Sequence, residues 1–450
     1  MRKGTRCAAI DDRPRSFDLN KIHFVRPSLR FVFSVLVLGH FFCASAEAAE
    51  EIRVRLDSVR SGIALSGVEL RFPGAPQKRL SVYQALRVKW SPAAAGLTAW
   101  TLEDRDSGEV LARVRAKTLE ISGSSLRLNL KPLPGRLTLR PSPSSQVADV
   151  ISSVDLETYV RGVLPAEMPR TWPLEALKAQ AVAARTFALF RKQNREKANA
   201  PYHLEATVMD QVYLVPVVEE GGDETQARVE QAVRETKDLV LLADGSVGPQ
   251  GEAQPIPAHF HADCGGRTED ARVVWGYKES MGTTVDGSCP LNPLARWKVG
   301  FSAEELSRKL RGQGLLVRGF AKIEAITPFS FTASGRVSQL RLLWSDGEST
   351  FVSAHDFRMR VGHDRVKSTN FTVERLGPQG EFQIAGQGFG HGVGLCQWGA
   401  RQLAQSGKDF REILGHYYPK ARVAGWERAR DGVVTGIASS EDEIKRRRRL

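Results

Sequence analysis

Residues 155–191 read DLETYVRGVLPAEMPRTWPLEALKAQAVAARTFALFR, and what the chain can build depends on how this stretch folds. From Pro173 to Lys192 small and apolar residues recur at helical spacing, with Ala181, Ala184 and Ala188 among them, so a helix is predicted whose small side chains let another element pack close. Thr171 can cap its start, and Pro173 falls in the first turn, where a missing N–H costs little. Just upstream, Glu167 lies between Ala166 and Met168 in a loop bounded by Pro165 and Pro169. A carboxyl placed among Ala, Met, Pro and Trp172 loses hydration. That raises its pKa above the reference of ~4.3 and lets it hold a proton near neutral pH, as a general acid must. The opposing expectation is that a Glu near a helix N-terminus favours the dipole and has its pKa lowered. Glu157 and Glu175, in polar or helical settings, fit that description better.

Working outward, Glu51 to about Pro141 alternates apolar and polar residues in short runs: Ile52, Val54, Leu56, then Leu126, Leu128, Leu130, then Leu137, Leu139. Period-two runs between Gly and Pro turns predict a small β-rich unit over 49–147. Beyond it, further helices are expected at Asp223–Thr236, Ser302–Arg311, Val393–Gln405 and Phe410–Tyr417. Ser302 with Glu305 forms a capping-box pattern, and Ser406-Gly407 closes the third of these. Strands are expected at Leu239–Leu242, Ile256–His261, Val337–Trp344 and Glu381–Ala385. The fold class is α+β: a mixed, β-rich core with several helices over 148–426, preceded by the small β-rich unit. No fixed-period repeat is present.

The 450 residues are 42% hydrophobic and 26% charged, which excludes a collagenous, mucin-like or wholly disordered chain and suits two or three domains. The net charge of +13 is concentrated in the ends, in eight basic residues within 1–48 and in the run Lys445 to Arg449. The rest is mildly basic and has no basic patches interleaved with stacking aromatics, so no nucleic-acid partner is expected. The N-terminus resembles an export signal: basic residues, an uncharged run from Phe31 to Ala46, then small residues at Ala44, Ala46 and Ala48. A signal peptide over 1–48 places the mature chain outside the cytoplasm, in the periplasm or cell envelope. Residues 427–450 are expected to form a basic, disordered tail.

Export bears on the cysteines. Cys7 and Cys43 fall in the signal, leaving Cys264, Cys289 and Cys396 in the mature chain. With His261 three residues before Cys264, these make a Cys3His set suited to structural zinc. A Cys264–Cys289 disulfide fits an oxidising compartment equally well. A second chemical seat is GQGFGHGVGLCQWGA at Gly386–Ala400. Its five glycines, at 386, 388, 390, 392 and 394, allow φ > 0 turns and close backbone approach. Neither a dinucleotide fingerprint nor a phosphate loop fits the spacing, so no nucleotide is expected. The turn instead presents His391, Gln397 and Trp398, which suit a carbohydrate's hydroxyls and C–H faces. A tight turn with a core Trp accounts for the same residues.

The strings YVRGVLPAEMPRTWPLEALKAQAVAARTFAL, HADCGGRTEDARVVWG and GFGHGVGLCQWGARQLA resemble, in this order, the three signature blocks of the stage II sporulation protein D and amidase-enhancer (SpoIID/LytB) family. The likeness runs from about Ala148 to Pro419. It implies a secreted, peptidoglycan-acting domain and, in one branch, a lytic transglycosylase that cuts peptide-free glycan strands. The family's essential glutamate then falls at Glu167. Zinc held by Cys and His is implied within the family with ligands that vary, and many relatives carry Ser at the position of Cys396.

A lytic transglycosylase needs one carboxylic acid, which protonates the glycosidic oxygen and then deprotonates the muramic acid C6 hydroxyl as a 1,6-anhydro ring closes. This differs from the two-carboxylate pattern of ordinary glycosidases and agrees with one desolvated carboxyl at Glu167. Arg185 and Asp210 are candidate supporters that hold the sugar or the loop, or are structural. The family's other branch implies a different class of function, a glycan-binding enhancer of a separate cell-wall amidase that cleaves nothing itself. A structural envelope protein that binds glycan is a third.

Overall fold

The computed structural model describes residues 50–430 except 61, 73–83, 143–146, 216–222, 248–252, 288–291, 293–294, 312–320 and 378–379. The expected signal peptide, most of the expected tail, and Cys7, Cys43 and Cys289 lie outside the described residues. Among the described residues no helix is long and apolar enough to cross a membrane.

The period-two runs become β1 (Glu51–Arg60), β2 (Ile63–Arg71), β3 (Gln84–Pro92), β4 (Thr98–Asp104), β5 (Val110–Ala116), β6 (Leu119–Leu128), β7 (Lys131–Pro132), β8 (Arg136–Pro141) and β9 (Val147–Asp155). With the two-residue β10 (Leu204–Glu205), they form one sheet in the order β10-β1-β9-β8-β6-β2-β3-β4-β5, with β7 on β6. Residues two apart, such as Leu86 and Val88, Trp100 and Leu102, or Leu137 and Leu139, are buried on its inner face, as the pleat requires. β1 lies along β9 from Glu51 opposite Asp155 to Arg60 opposite Val147, with one bulge. β9 in turn delivers Asp155 as the N-cap of the first helix, its carboxylate accepting the Thr158 N–H.

That helix, α1 (Leu156–Glu167), contains the stretch expected to be a loop, with Pro165 inside its last turn. α2 (Leu174–Lys197) follows and starts at Pro173 without a side-chain cap, so Thr171 does not serve as one. Its central turns, Ala179 to Leu189, are buried on every side, because small residues admit neighbours all round. α3 (Glu224–Glu235) begins on Asp223, whose side chain accepts the Gln226 N–H.

The chain continues through β11 (Leu239–Val247), β12 (Ala253–Pro255), β13 (Phe260–His261), α4 (Ala271–Trp275), β14 (Arg296–Ser302), α5 (Ala303–Arg311), β15 (Ile323–Phe331), β16 (Val337–Trp344) and β17 (Ser349–Ser353). Then come α6 (Ala354–Val361), β18 (Phe371–Leu376), β19 (Glu381–Gln387), β20 (Leu395–Cys396), α7 (Gln397–Gln405), α8 (Phe410–Tyr417), β21 (Ala421–Gly425) and α9 (Trp426–Arg430). The strand expected at Ile256–His261 shrinks to β13, because Pro257 interrupts it; Ile256 and Ala258 are buried all the same. The Ser302–Glu305 box is half formed. The Ser302 hydroxyl accepts the Glu305 N–H, while the Glu305 carboxylate pairs with Arg365.

Among the described residues four small sheets follow: β12-β11-β21, the parallel pair β13-β20, β14-β19-β18 and β15-β16-β17. A core built wholly from residues between Trp297 and Ile384 joins the last two sheets with α5 and α6. The core around α1 and α2 draws on chain ends instead, taking Ile52 and Val54 from β1 and Ala424 and Trp426 from the C-terminal side.

Candidate functional site

Glu167 is the last residue of α1, and it is half-buried. Gly162, one and a half turns earlier, decides what reaches it. A Cβ there would strike the Leu214 carbonyl and the Tyr213 ring, so only glycine lets residues 211–214 cross the helix this closely. The crossing is pinned by Tyr159, which stacks on Tyr213 at 5.2 Å and donates to Gln211 Oε1 at 2.8 Å. It brings the Val212 N–H to Glu167 Oε1 at 2.7 Å.

Burial pushes the Glu167 carboxyl above the usual carboxylate range and outweighs two effects that favour its charged form, the Val212 N–H and a hydrogen bond with Gln397. The helix dipole acts in the same direction as burial. Glu167 stands at the C-terminal, negative end of α1, where an anion is disfavoured. The sequence pattern suggested the N-terminal, pKa-lowering setting only because α1 was not foreseen. Glu157 and Glu175 do occupy first turns, of α1 and α2.

The glycine-rich turn reaches this carboxyl from the far end of the chain. Gly388, Gly390, Gly392 and Gly394 all have φ between 71° and 110°, while Gly386 is extended within β19. Alternating left-handed residues cannot extend a helix backwards, so α7 begins at Gln397 rather than Val393, with Cys396 Sγ accepting the Gly399 N–H as its cap. Gln397 is buried, reaches Glu167, and lies 3.5 Å from Gln180 of α2. Trp398 is half-buried. It meets the Trp172 ring edge-on at 5.2 Å, with the Arg401 guanidinium over both rings.

The other expected residues sort differently. Arg185 is fully buried and bidentate on Glu157 at 2.8 Å, with a further bond to the Leu239 carbonyl. Its donors toward α1 and β11 are committed, which makes it a strut between elements rather than a ligand-facing group. Asp210 pairs with Arg191 at 2.8 Å and accepts the Glu205 N–H at 2.9 Å, so it too anchors the segment leading to Val212. His391 is grouped elsewhere. Its Nδ1 accepts the Val393 N–H, and its ring lies 4.9 Å from Trp275, 5.5 Å from His261 and 5.7 Å from His259.

Three of the four expected metal ligands converge. His261, Cys264 and Cys396 are buried, with ligand atoms within 4.8 Å of one another. The pairing of β13 with β20 sets His261 opposite Cys396. The His261 Nδ1–H donates to the Val393 carbonyl at 3.0 Å, a bond that leaves Nε2 as the ligating nitrogen. Two soft sulfurs and an oriented imidazole suit zinc. The fourth expected ligand, Cys289, and with it the disulfide alternative, falls outside the described residues.

Val212 acts through its backbone, which no side-chain pattern announces. Gly162 did carry a signal, a lone glycine in an otherwise helical apolar pattern. Trp275 and His259 were visible only as aromatic residues near the motifs.

Residues 144–242 match the family described as stage II sporulation protein, and residues 284–394 match a domain of unknown function. The chain is 33% identical over 288 residues to an uncharacterised protein of Brachyspira hyodysenteriae, covering 64% of this chain and 71% of that one. It is 31% identical over 280 residues to stage II sporulation protein D of Bacillus amyloliquefaciens, covering 60% and 74%. To the amidase enhancer of Bacillus subtilis it is 26% identical over 311 residues, 59% of this chain and 40% of that protein. The chain belongs to the stage II sporulation protein D and amidase-enhancer family.

Proposed function

We propose that this protein acts on the bacterial cell wall as an exported lytic transglycosylase that cleaves peptide-free glycan strands, with Glu167 as its acid and base. One observation carries this reading: the half-buried Glu167 carboxyl is raised by burial and oriented by Val212 and Gln397, whereas Asp210, which burial also raises, is tied up in its ion pair with Arg191. Protonated, it can donate to the glycosidic oxygen. Once ionised, it is the base that removes the C6 hydroxyl proton while the 1,6-anhydro ring closes. The hydrogen bonds from Val212 and Gln397 then hold the anion it has become. Incubating the purified protein with peptide-free glycan strands should release fragments with anhydro-muramic ends, detectable by mass spectrometry. Glu167→Gln, which keeps the shape and loses the proton, should reduce that release by roughly a hundredfold or more. Turnover close to wild type by the Gln variant would overturn the assignment.

The amidase-enhancer relative supports a second reading, in which the same turn and carboxyl bind glycan for a partner amidase without cleavage. Glycan binding without anhydro products would favour it. His261, Cys264 and Cys396 are proposed to hold one zinc ion, with Cys289 as the fourth ligand. The group would tie β13 to β20 and supply no step of the reaction. Elemental analysis should find about one zinc per chain, and Cys264→Ser should lower the melting temperature. A metal-free protein with a reducible bridge would establish the disulfide instead.

A further inference from the structure

The segment 284–394, which matches a domain of unknown function, sends two arginines inward. Arg336, just before β16, is 1% exposed, and Arg358, in α6, is 6% exposed. Nη2 of Arg336 donates to the Cys264 carbonyl, but its Nε and Nη1 have no hydrogen-bond partner among the described residues. The Arg358 Nε is likewise unpartnered; its Nη2 reaches only the His363 carbonyl, at 3.4 Å, and its Nη1 only the Met359 sulfur, at 3.8 Å. The two guanidinium groups are close enough to repel one another, and burial with that repulsion lowers Arg358 to about 10.

The carboxylates near Arg336 attract its charge while holding hydrogen bonds of their own. Glu269 is near Arg336, but its carboxylate is bound to Thr332, Ser334 and the Asp270 N–H. Asp263 is held by Asn292 and the Gly265 N–H. Asp356 faces solvent and accepts from Ser353. The remaining neighbours are sulfurs and imidazoles: Cys264 and Cys396 act on Arg336, while Arg358 acts on both His355 and His391, whose rings lie against Trp275 at 6.3 and 4.9 Å. Those two histidines are half-buried and Trp275 is 36% exposed, so this end of the cluster opens to solvent. Buried guanidinium donors without partners call for an anion.

We propose that Arg336 and Arg358, with His355 and His391 at the mouth, bind a carboxylate, and that it is the lactyl carboxylate of muramic acid in the glycan strand. The second half rests on the glycan reading above. While a stem peptide is attached, the lactyl group ends in a neutral amide. Hydrolysis of that amide leaves a carboxylate, which guanidinium forks recognise and an amide does not satisfy. The site shares its turn with the acid: the Arg336 guanidinium lies against Gly392, where a side chain would collide with it, and Gln397 of the same turn bonds Glu167. The segment from 284 to 394 would thus select strands already stripped of peptide.

The test measures binding, not cleavage, on the full-length Glu167→Gln protein. Short peptide-free glycan oligomers are compared with the same oligomers after conversion of their lactyl carboxylates to methylamides. The native oligomers should bind at least about tenfold more tightly, as a charge-assisted hydrogen bond supports. Arg358→Gln should bring that ratio to about one, and Arg358→Lys should keep part of it. Equal affinity for both oligomers overturns this inference and leaves the glycan reading standing, whatever the Arg358 variants do. Binding of neither overturns both. Lactate competing as well as N-acetylmuramic acid would overturn the sugar-borne source and show a site for small free carboxylates.

Discussion

At Glu167 burial and hydrogen bonding pull in opposite directions, and the net upward shift has a cost that can be measured on the fold. The folded state holds this proton more tightly than the unfolded chain, whose carboxyl titrates near ~4.3. The contribution of Glu167 to stability is therefore fully present below that pH and is lost as pH rises through the raised native value. Glu167→Gln should remove this contribution. Urea titrations from pH 4 to 8 should show the variant gaining on the wild type as pH increases, and a constant difference would contradict the raised carboxyl. What could be read at this scale was that the Glu167 carboxyl loses hydration. What could not was Arg185, whose partner Glu157 lies 28 positions away. A cation inside a signature block looks the same in sequence whether it grips a ligand or a neighbouring helix.

Among the elements, α2, α3 and α8 were legible from their spacing, although the cap expected for α2 at Thr171 does not form. α1 was not, because Gly162 and Pro165 are both helix breakers by propensity. Pro165 lies late enough in α1 to remove only one internal bond, and Gly162 is required by the crossing of Tyr213 and Leu214. The glycine-rich turn meets the Glu167 carboxyl through Gln397. Trp398 does something more: with Trp172 and Arg401 it joins α7 to the turn that follows Glu167. Removing that ring should cost about 2–3 kcal/mol, less than a fully buried tryptophan, with Trp398→Phe recovering much of the loss. Denaturant titration of Trp398→Ala decides it. A cost below about 0.5 kcal/mol would show that the stack holds nothing, leaving the ring free to serve as a sugar platform alone.

For the whole molecule, the signature blocks foretold the order of the parts but not the continuity of the large sheet. β9 lies between β1 and β8, and β1 supplies Ile52 and Val54 to the core around α1 and α2. A fragment starting at residue 148 would leave β9 without either neighbour and expose that core. It should be insoluble or unfolded by circular dichroism; a cooperative unfolding transition from the fragment would show that the β-rich segment is dispensable. The core between Trp297 and Ile384 closes on itself; spacing announced α5, β16 and β19 within it, but not that they share one core. One contact joins distant parts of the chain. Gln397 meets Gln180 across 217 positions of chain and meets Glu167 across still more. A chain made N-terminus first presents Glu167 some 230 positions before the residue that bonds it, so a copy that stops short of residue 397 has the carboxyl without its partner.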